Sequence, residues 1–291
     1  MTKLRTLLSL AVAASVGGTS SHAQNLTRNP TSKIYVADVE GESQVDAGKK
    51  ISVLEKKAVY KGEGSTIETK PNSNASIVLS NGIGIYFDVA TRTQIRGFMQ
   101  APFRPSRTDM DDEPSISRTE MYIDHGVVGV STGKMAAGST LLFESTLATA
   151  DVHGRQVVFQ IGDNVTTISL LLGDATVRAG SMDSSHEVNG GQQVIVRPGR
   201  PGQANIVEIQ AIPDGRLEGQ REWLLERVLA ADSARKLVYF EMQAVNESGD
   251  RVSPFDGDSP PGTKLDIVPI PVIPANPPVE PTVSAANLSS P

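Results

Sequence analysis

The segment Ser73–Val89, SNASIVLSNGIGIYFDV, decides the fold class. Ile77 and Leu79 alternate on one side of an extended chain, and Ile83, Ile85, Phe87 and Val89 alternate on the return. A period of two is the mark of a strand with one buried face. Asn81-Gly82, between the two runs, is the dipeptide preferred in type I′ turns, where both central residues need positive φ. The segment predicts a β-hairpin that buries one face.

Outward from this hairpin, short apolar runs broken by turn residues extend from about Ala47 to Ile212. They include Tyr122–Val130, Leu141–Thr149, Gln156–Ile161 and Thr166–Leu172. After Gly173-Asp174 come Ala175–Arg178, Glu187-Val188, the Gly190-Gly191 turn and Gln193–Val196. Strands this short need a facing sheet to bury their alternate residues. The expectation is an all-β, jelly-roll-like sandwich of short antiparallel strands over residues 47–212, with β-solenoid-like stacking as the alternative. Residues 24–46 read as a linker and first strand. Residues 100–117, QAPFRPSRTDMDDEPSIS, hold three prolines and a mixed charge cluster. Proline removes ladder donors, so this stretch is a surface loop or an excursion across one end of the sandwich.

Beyond Pro213 the period changes. Leu224, Leu225, Val228, Ala231, Leu237, Val238 and Met242 fall at helical spacing, and Asp214 stands where an N-cap would. This predicts one long amphipathic helix over residues 213–247, with Trp223 anchoring it to the sheet. Leu217, Leu224, Ala231 and Val238 are seven apart, but Arg221 and Arg235 interrupt a second seam, so packing onto its own domain is expected. Residues 248–291 carry ten of the 18 prolines and predict a disordered or semi-extended tail.

The N-terminus reads as a secretory signal. Lys3 and Arg5 precede an apolar run, Leu7–Val16, which leads to Ser21-His22-Ala23, and cleavage is expected after Ala23. The run is too short to span a bilayer, and no later stretch is long and apolar enough. A periplasmic or secreted location follows. The chain has no cysteine, which removes disulfides, thiolate metal sites and a cysteine nucleophile together. Losing Lys3 and Arg5 takes the formal charge from −6 to −8, and an acidic chain is a poor partner for nucleic acid.

Few residues invite a chemical reading. Gly129-Val130-Ser131-Thr132-Gly133 matches the nucleophile-elbow pattern G-x-S-x-G, and Ser131 with Lys134 spells S-x-x-K. An elbow needs a helix directly after it, and here Gly138 and the β-rich Ser139–Thr149 leave no room. A phosphate loop fails as well, because Val128 and Met135 occupy two of its required positions. His125, His153 and His186 lack the spacing of a metal pair. Asp109, Asp111, Asp112 and Glu113 are the weak candidates for calcium. They lack an EF-hand's central glycine and distal glutamate, and Arg104, Arg107 and Arg118 stand ready to pair with them. A glycosidase pair of carboxylates needs only proximity in space, and the sequence offers no positive sign of one. No catalytic, cofactor or metal residue is assigned.

The two β stretches together resemble a FecR-type domain. The first half of the resemblance rests on Gly62–Thr69, Ser73–Leu79, Asn81-Gly82 and Tyr86–Ile95. The second rests on His125–Val128, Ser139–Asp151, Val152-His153-Gly154, Val157–Ile161, Leu172–Val177 and Gly191-Gln192-Gln193-Val194. It spans roughly Val53–Pro198. The resemblance implies an extracytoplasmic jelly-roll-like sandwich that acts by contact with partners and carries no catalytic residues. Members that regulate iron uptake pass a signal through a membrane helix to a cytoplasmic sigma factor, and this chain departs from them in its short cleavable signal. The expected role is an exported binding or scaffolding module of the bacterial envelope, with an envelope protein or glycan as partner. The alternatives are a periplasmic sensor that relays through a separate membrane protein and, third, a hydrolase of envelope glycan.

Overall fold

The computed structural model describes residues 32–48, 50–103, 110–180, 184–213, 219–252 and 263–272. The signal segment, Asp109 and Asp214 lie outside the described residues. The chain runs β1 (Lys33–Glu40), β2 (Ser43–Asp46), β3 (Ile51–Val53), β4 (Val59–Lys61), β5 (Thr66–Thr69), β6 (Asn74–Leu79), β7 (Gly84–Phe87), β8 (Arg92–Gln100) and β9 (Ser117–Ser131). It continues through β10 (Thr140–Glu144), β11 (Thr149–Val152), β12 (Gln156–Gly162), β13 (Val165–Leu172), β14 (Asp174–Arg178), β15 (His186–Asn189), β16 (Gln192–Arg197) and β17 (Ile206–Ala211). Helix α1 (Gln220–Arg235) follows, then β18 (Val238–Val245) and β19 (Lys264–Pro271).

Two sheets face each other. The first has the order β17-β16-β13-β12-β9-β7-β6-β1-β4. The second has the order β3-β2-β5-β8-β9-β10-β11-β14-β15. β9 belongs to both: residues 117–125 pair with β8, and residues 126–131 pair with β12. The expected β-sandwich is therefore present, with one departure from all-antiparallel pairing, since β9 and β10 run parallel. It also begins earlier than residue 47, because Ile34 and Val36 of β1 and Val45 of β2 are core residues. Aliphatic side chains fill most of the interior, and Phe143 and Phe159 meet across it with ring centroids 4.4 Å apart.

The Ser73–Val89 hairpin forms, with a wider turn than type I′. The Gly82 N–H donates to the Leu79 carbonyl at 2.8 Å, and the Leu79 N–H to the Ile83 carbonyl at 2.9 Å. Gly82 alone of the pair has positive φ, at 86°. This is a three-residue loop closed by a left-handed glycine. The Asn81 side chain is committed elsewhere: buried, it donates to the Ser117 and Thr119 hydroxyls of β9 at 2.9 and 3.2 Å. Val89 falls outside β7 and is exposed, so the alternation stops at Phe87.

The predicted long helix is half helix and half strand. α1 ends at Arg235, where the Lys236 and Leu237 N–H groups bond back only three residues, to Ser233 and Ala234. The Leu237 carbonyl then accepts from the Val272 N–H at 2.8 Å, and β18 pairs with β19. Part of the Pro-rich tail is thus a strand. The Val272–Leu237 bond sets the parity of the ladder, so residues 270, 268 and 266 turn their backbone donors toward β18. Pro269 and Pro271 occupy the alternate positions, whose donors would face away, and the missing N–H groups cost the ladder nothing.

α1 and the β18–β19 hairpin cover the outer face of the first sheet. Leu224, Val228 and Ile212 pack on Val158, and Ala234, Val238, Phe240 and Ile267 pack on Tyr35, Ala37 and Val78. Trp223 packs beside the first cluster, with the Arg227 guanidinium 3.6 Å over its ring. Leu224 and Ala231 of the seven-residue series are buried on the chain's own sheet. Arg227 pairs with Asp88 at 2.5 Å, and both side chains are nearly buried. The helix sits close because Gly84 and Gly129 lie beneath it: a Cβ on Gly84 would stand 2.0 Å from the Ala231 carbonyl oxygen. Gly84→Ala is expected to lower stability by about 1–3 kcal/mol, read as a lower urea midpoint with an unchanged m value.

Candidate functional site

The G-x-S-x-G segment closes β9 and lies under α1. Ser131 is 2% exposed, and its hydroxyl donates to Asp232 Oδ1 at 3.1 Å. Asp232 also holds Arg235 Nε at 3.1 Å and Lys236 Nζ at 2.5 Å. Gly129 makes room for the helix backbone at Arg227, and Gly133 for the Asp111 carbonyl, 2.1 Å from where its Cβ would stand. The motif serves packing at each of its three fixed positions. Burial raises the Asp232 carboxyl, but hydrogen bonds from Lys236 and Ser131, with the Arg235 charge, outweigh it and hold the group below its ordinary 3.8.

The acidic cluster is divided among protein donors. Asp111 Oδ1 accepts from Arg235 Nη2 at 2.9 Å, and the Met110 carbonyl accepts from Nη1 at 2.9 Å. Glu113 accepts from the Ser117 hydroxyl at 2.5 Å and from the Ala136 N–H at 2.8 Å. Asp112 is exposed and bridges to Lys134 through the backbone. Together with Phe103, buried on the helix side, these contacts place residues 101–103 and 110–113 near the C-terminal end of α1. Arg235, a partner of Asp111, is 124 residues away and beyond the reach of sequence proximity, while Arg104 and Arg107, two of the expected local partners, lie outside the described residues. Among the described residues no three His, Asp or Glu side chains converge as a metal site.

The histidines are separate. His125 Nδ1 lies 3.0 Å from Asp124, within β9. His186 opens β15. His153 stands between Asp151 and Asp174, at 3.8 and 3.5 Å, half exposed.

Asp151 belongs to the more open surface, the outer face of the second sheet. Strand register sets its side chains opposite one another: Leu142 faces Asp151, Asp151 faces Thr176, and Thr149 faces Arg178. With Ser185 these residues line a groove of about 330 Å³. Asp151 Oδ1 is buried there without a hydrogen-bond partner. Toward the centre of the face, Arg96 lies 3.9 Å over the Tyr122 ring and 2.5 Å from Glu144. At the far side, Glu68 gathers Lys70, Gln44 and Arg92, and the Lys70 hydrogen bond leads in holding its carboxyl below the ordinary range. The face is an ordered lattice of hydrogen-bond donors and acceptors, suited to recognition of a polar partner. Sequence reading missed it because outward residues on several strands meet only after pairing.

No family model matches the chain, and no curated protein matches it. Two crystal structures described as a "putative anti-sigma factor from Parabacteroides distasonis" show partial likeness. One is 14% identical with a TM-score of 0.36, covering 50% of this chain and 59% of its own. The other is 13% identical with a TM-score of 0.37, covering 56% and 74%. Likeness this distant carries no function across. Among the described residues no helix is long and apolar enough to cross a membrane.

Asp232→Asn is expected to cost about 1–3 kcal/mol, because it weakens the acceptor shared by Ser131, Arg235 and Lys236. Its depressed folded carboxyl contributes stability that is full well above the unfolded value of 3.8 and is lost as pH falls through the lower folded value. Urea midpoints between pH 7 and pH 3 should therefore show the gap between wild type and variant closing below about pH 4.

Proposed function

We propose that this chain is an exported, non-catalytic sandwich of the FecR-domain type, which binds or scaffolds a polar partner in the bacterial envelope through the open face of its second sheet. The observation that carries this reading is the contrast between the two outer faces. The first is covered by α1 and the β18–β19 hairpin, whereas the second carries the Leu142–Asp151–Thr176–Arg178 groove and the Arg96–Tyr122–Glu144 cluster. Support for export comes from Lys3, Arg5, the Leu7–Val16 run and Ser21-His22-Ala23. A non-catalytic role is supported by the engagement of Ser131 with Asp232 under the helix.

A photocrosslinking residue at Thr176, in the full chain expressed in a Gram-negative host, should give a discrete adduct that disappears with Arg178→Glu. The same residue at Leu225, exposed on α1, should give none. Equal adducts at both positions, or none at Thr176, would sink the face assignment. Export is read separately, from a mature N-terminus at Gln24 in the periplasmic or medium fraction.

A further inference from the structure

The two sheets of the sandwich have four outermost strands, and three of them are guarded against the addition of another strand. β3 and β4 are three residues long, with exposed Lys50 before the one and exposed Lys61 at the end of the other. β15 is four residues long, and the Gln192 side chain occupies one donor of its open edge, accepting from the Asn189 N–H at 2.9 Å. β17 has neither device. Its six residues, IVEIQA, include no lysine and no proline, and among the described residues it pairs with β16 alone.

Register shows which backbone groups β17 leaves open. The Ile212 N–H donates to the Gly191 carbonyl at 2.8 Å, so residues 210, 208 and 206 turn their donors and acceptors toward β16. Val207, Ile209 and Ala211 turn theirs to the open edge. Their side chains share the inner face, where Val207 and Ile209 stand opposite the core residues Val196 and Val194, yet Ile209 is 40% exposed at the margin of the sandwich. Ile206, Glu208 and Gln210 take the outer face, with Glu208 3.2 Å from Arg197. An antiparallel copy of this strand fits the edge when Ile209 faces the partner's Ile209. Val207 then faces the partner's Ala211, so open backbone groups meet open backbone groups, and the inner face stays apolar across the two-fold axis. On the outer face Glu208 falls opposite the partner's Gln210, an acceptor beside a donor. Slipping one way sets Glu208 against the partner's Glu208, and slipping the other way sets Val207 against the partner's Pro213, which has no N–H.

We infer that β17 is the docking edge for a second copy of this chain, which joins the first sheets of two molecules into one continuous antiparallel sheet. The contact is separate from the open face of the second sheet and does not depend on it. Six residues a side are fewer than the roughly 20–30 of a standard interface, so a weak, concentration-dependent dimer is expected. Sedimentation velocity of the purified full chain should show it, and Ile209→Lys, which sets like charges face to face at the axis, should weaken it at least about tenfold. The chain has no cysteine, so one introduced thiol reports the register. Paired residues that exchange hydrogen bonds have Cα atoms about 5.5 Å apart, within disulfide reach, so Ile209→Cys should oxidise to a covalent dimer. Ile206→Cys should not, because its two copies would stand about 20 Å apart at roughly 3.4 Å per residue. Circular dichroism should report an unchanged fold in all three variants, since both substituted side chains are exposed. A chain that stays monomeric at every concentration would overturn the inference and leave the edge to a different protein. Equal crosslinking at 206 and 209, or a dimer indifferent to Ile209→Lys, would overturn it as well.

Discussion

The passage of β9 from one sheet to the other at Gly126 is the constraint on which the rest of the structure depends. Before this residue β9 pairs with β8 and β10, and after it with β7 and β12. The turn between the halves has no room for a side chain. Gly126 has φ 100°, and a Cβ there would stand 2.3 Å from the Thr91 hydroxyl. That hydroxyl takes up what the ladder loses at the corner, accepting from the Val127 N–H at 2.9 Å. The Thr91 N–H in turn donates to the Thr69 hydroxyl at 3.0 Å. Buried hydroxyls thus complete the backbone hydrogen bonding where the strand changes sheets. A shared strand also binds the two sheets into one folding unit, because neither can separate without breaking β9.

The same crossing sets the asymmetry of the outer faces. In its second half β9 presents Gly129 and Ser131 to α1, one by being small and the other by bonding to Asp232. In its first half it presents Tyr122 to the opposite surface, where nothing else of the chain lies over the Arg96–Glu144 pair among the described residues. Helix attachment then combines burial with two cationic clips. Arg227 reaches Asp88 beside β7, and Arg235 reaches Asp111 and Met110 in the excursion between β8 and β9. Removing one partner of a nearly buried pair such as Arg227–Asp88 leaves an uncompensated charge, which costs more than the intact pair contributes. These clips fix the helix in place more than they add net stability.

Much of the sandwich was legible because its strands alternate with period two and are punctuated by glycine. Legibility failed where one stretch satisfies two periods. In Val238–Val245, VYFEMQAV, apolar residues stand at 238, 240, 242 and 244, a strand pattern, yet 238 and 242 also continue the helical series from Leu224. What decides between them is β19, and β19 is written with the prolines that signal an irregular tail. Proline parity resolves this only once the register is known. The clips of α1 were hidden for a related reason: Arg227 bonds to a residue 139 positions away, and Arg235 to one 124 away. Local patterning carries periodicity, whereas long-range charge pairing leaves no periodic trace.

The G-x-S-x-G segment shows why a short pattern underdetermines chemistry. A nucleophile elbow needs small residues so that a strained turn can pack between strand and helix. A helix laid closely over a sheet needs small residues on the strand beneath it, and a buried polar side chain there needs a hydrogen-bond partner. Both demands select glycine, serine, glycine at the same spacing. In this chain the helix that meets the motif arrives from residue 220 onward, about ninety positions later, and the serine meets an aspartate on that helix. The hydroxyl is held as a donor to an aspartate whose carboxyl sits below its ordinary range. An oxygen so placed ties a helix to a sheet, and the arginine and lysine on the same aspartate add charge to that tie.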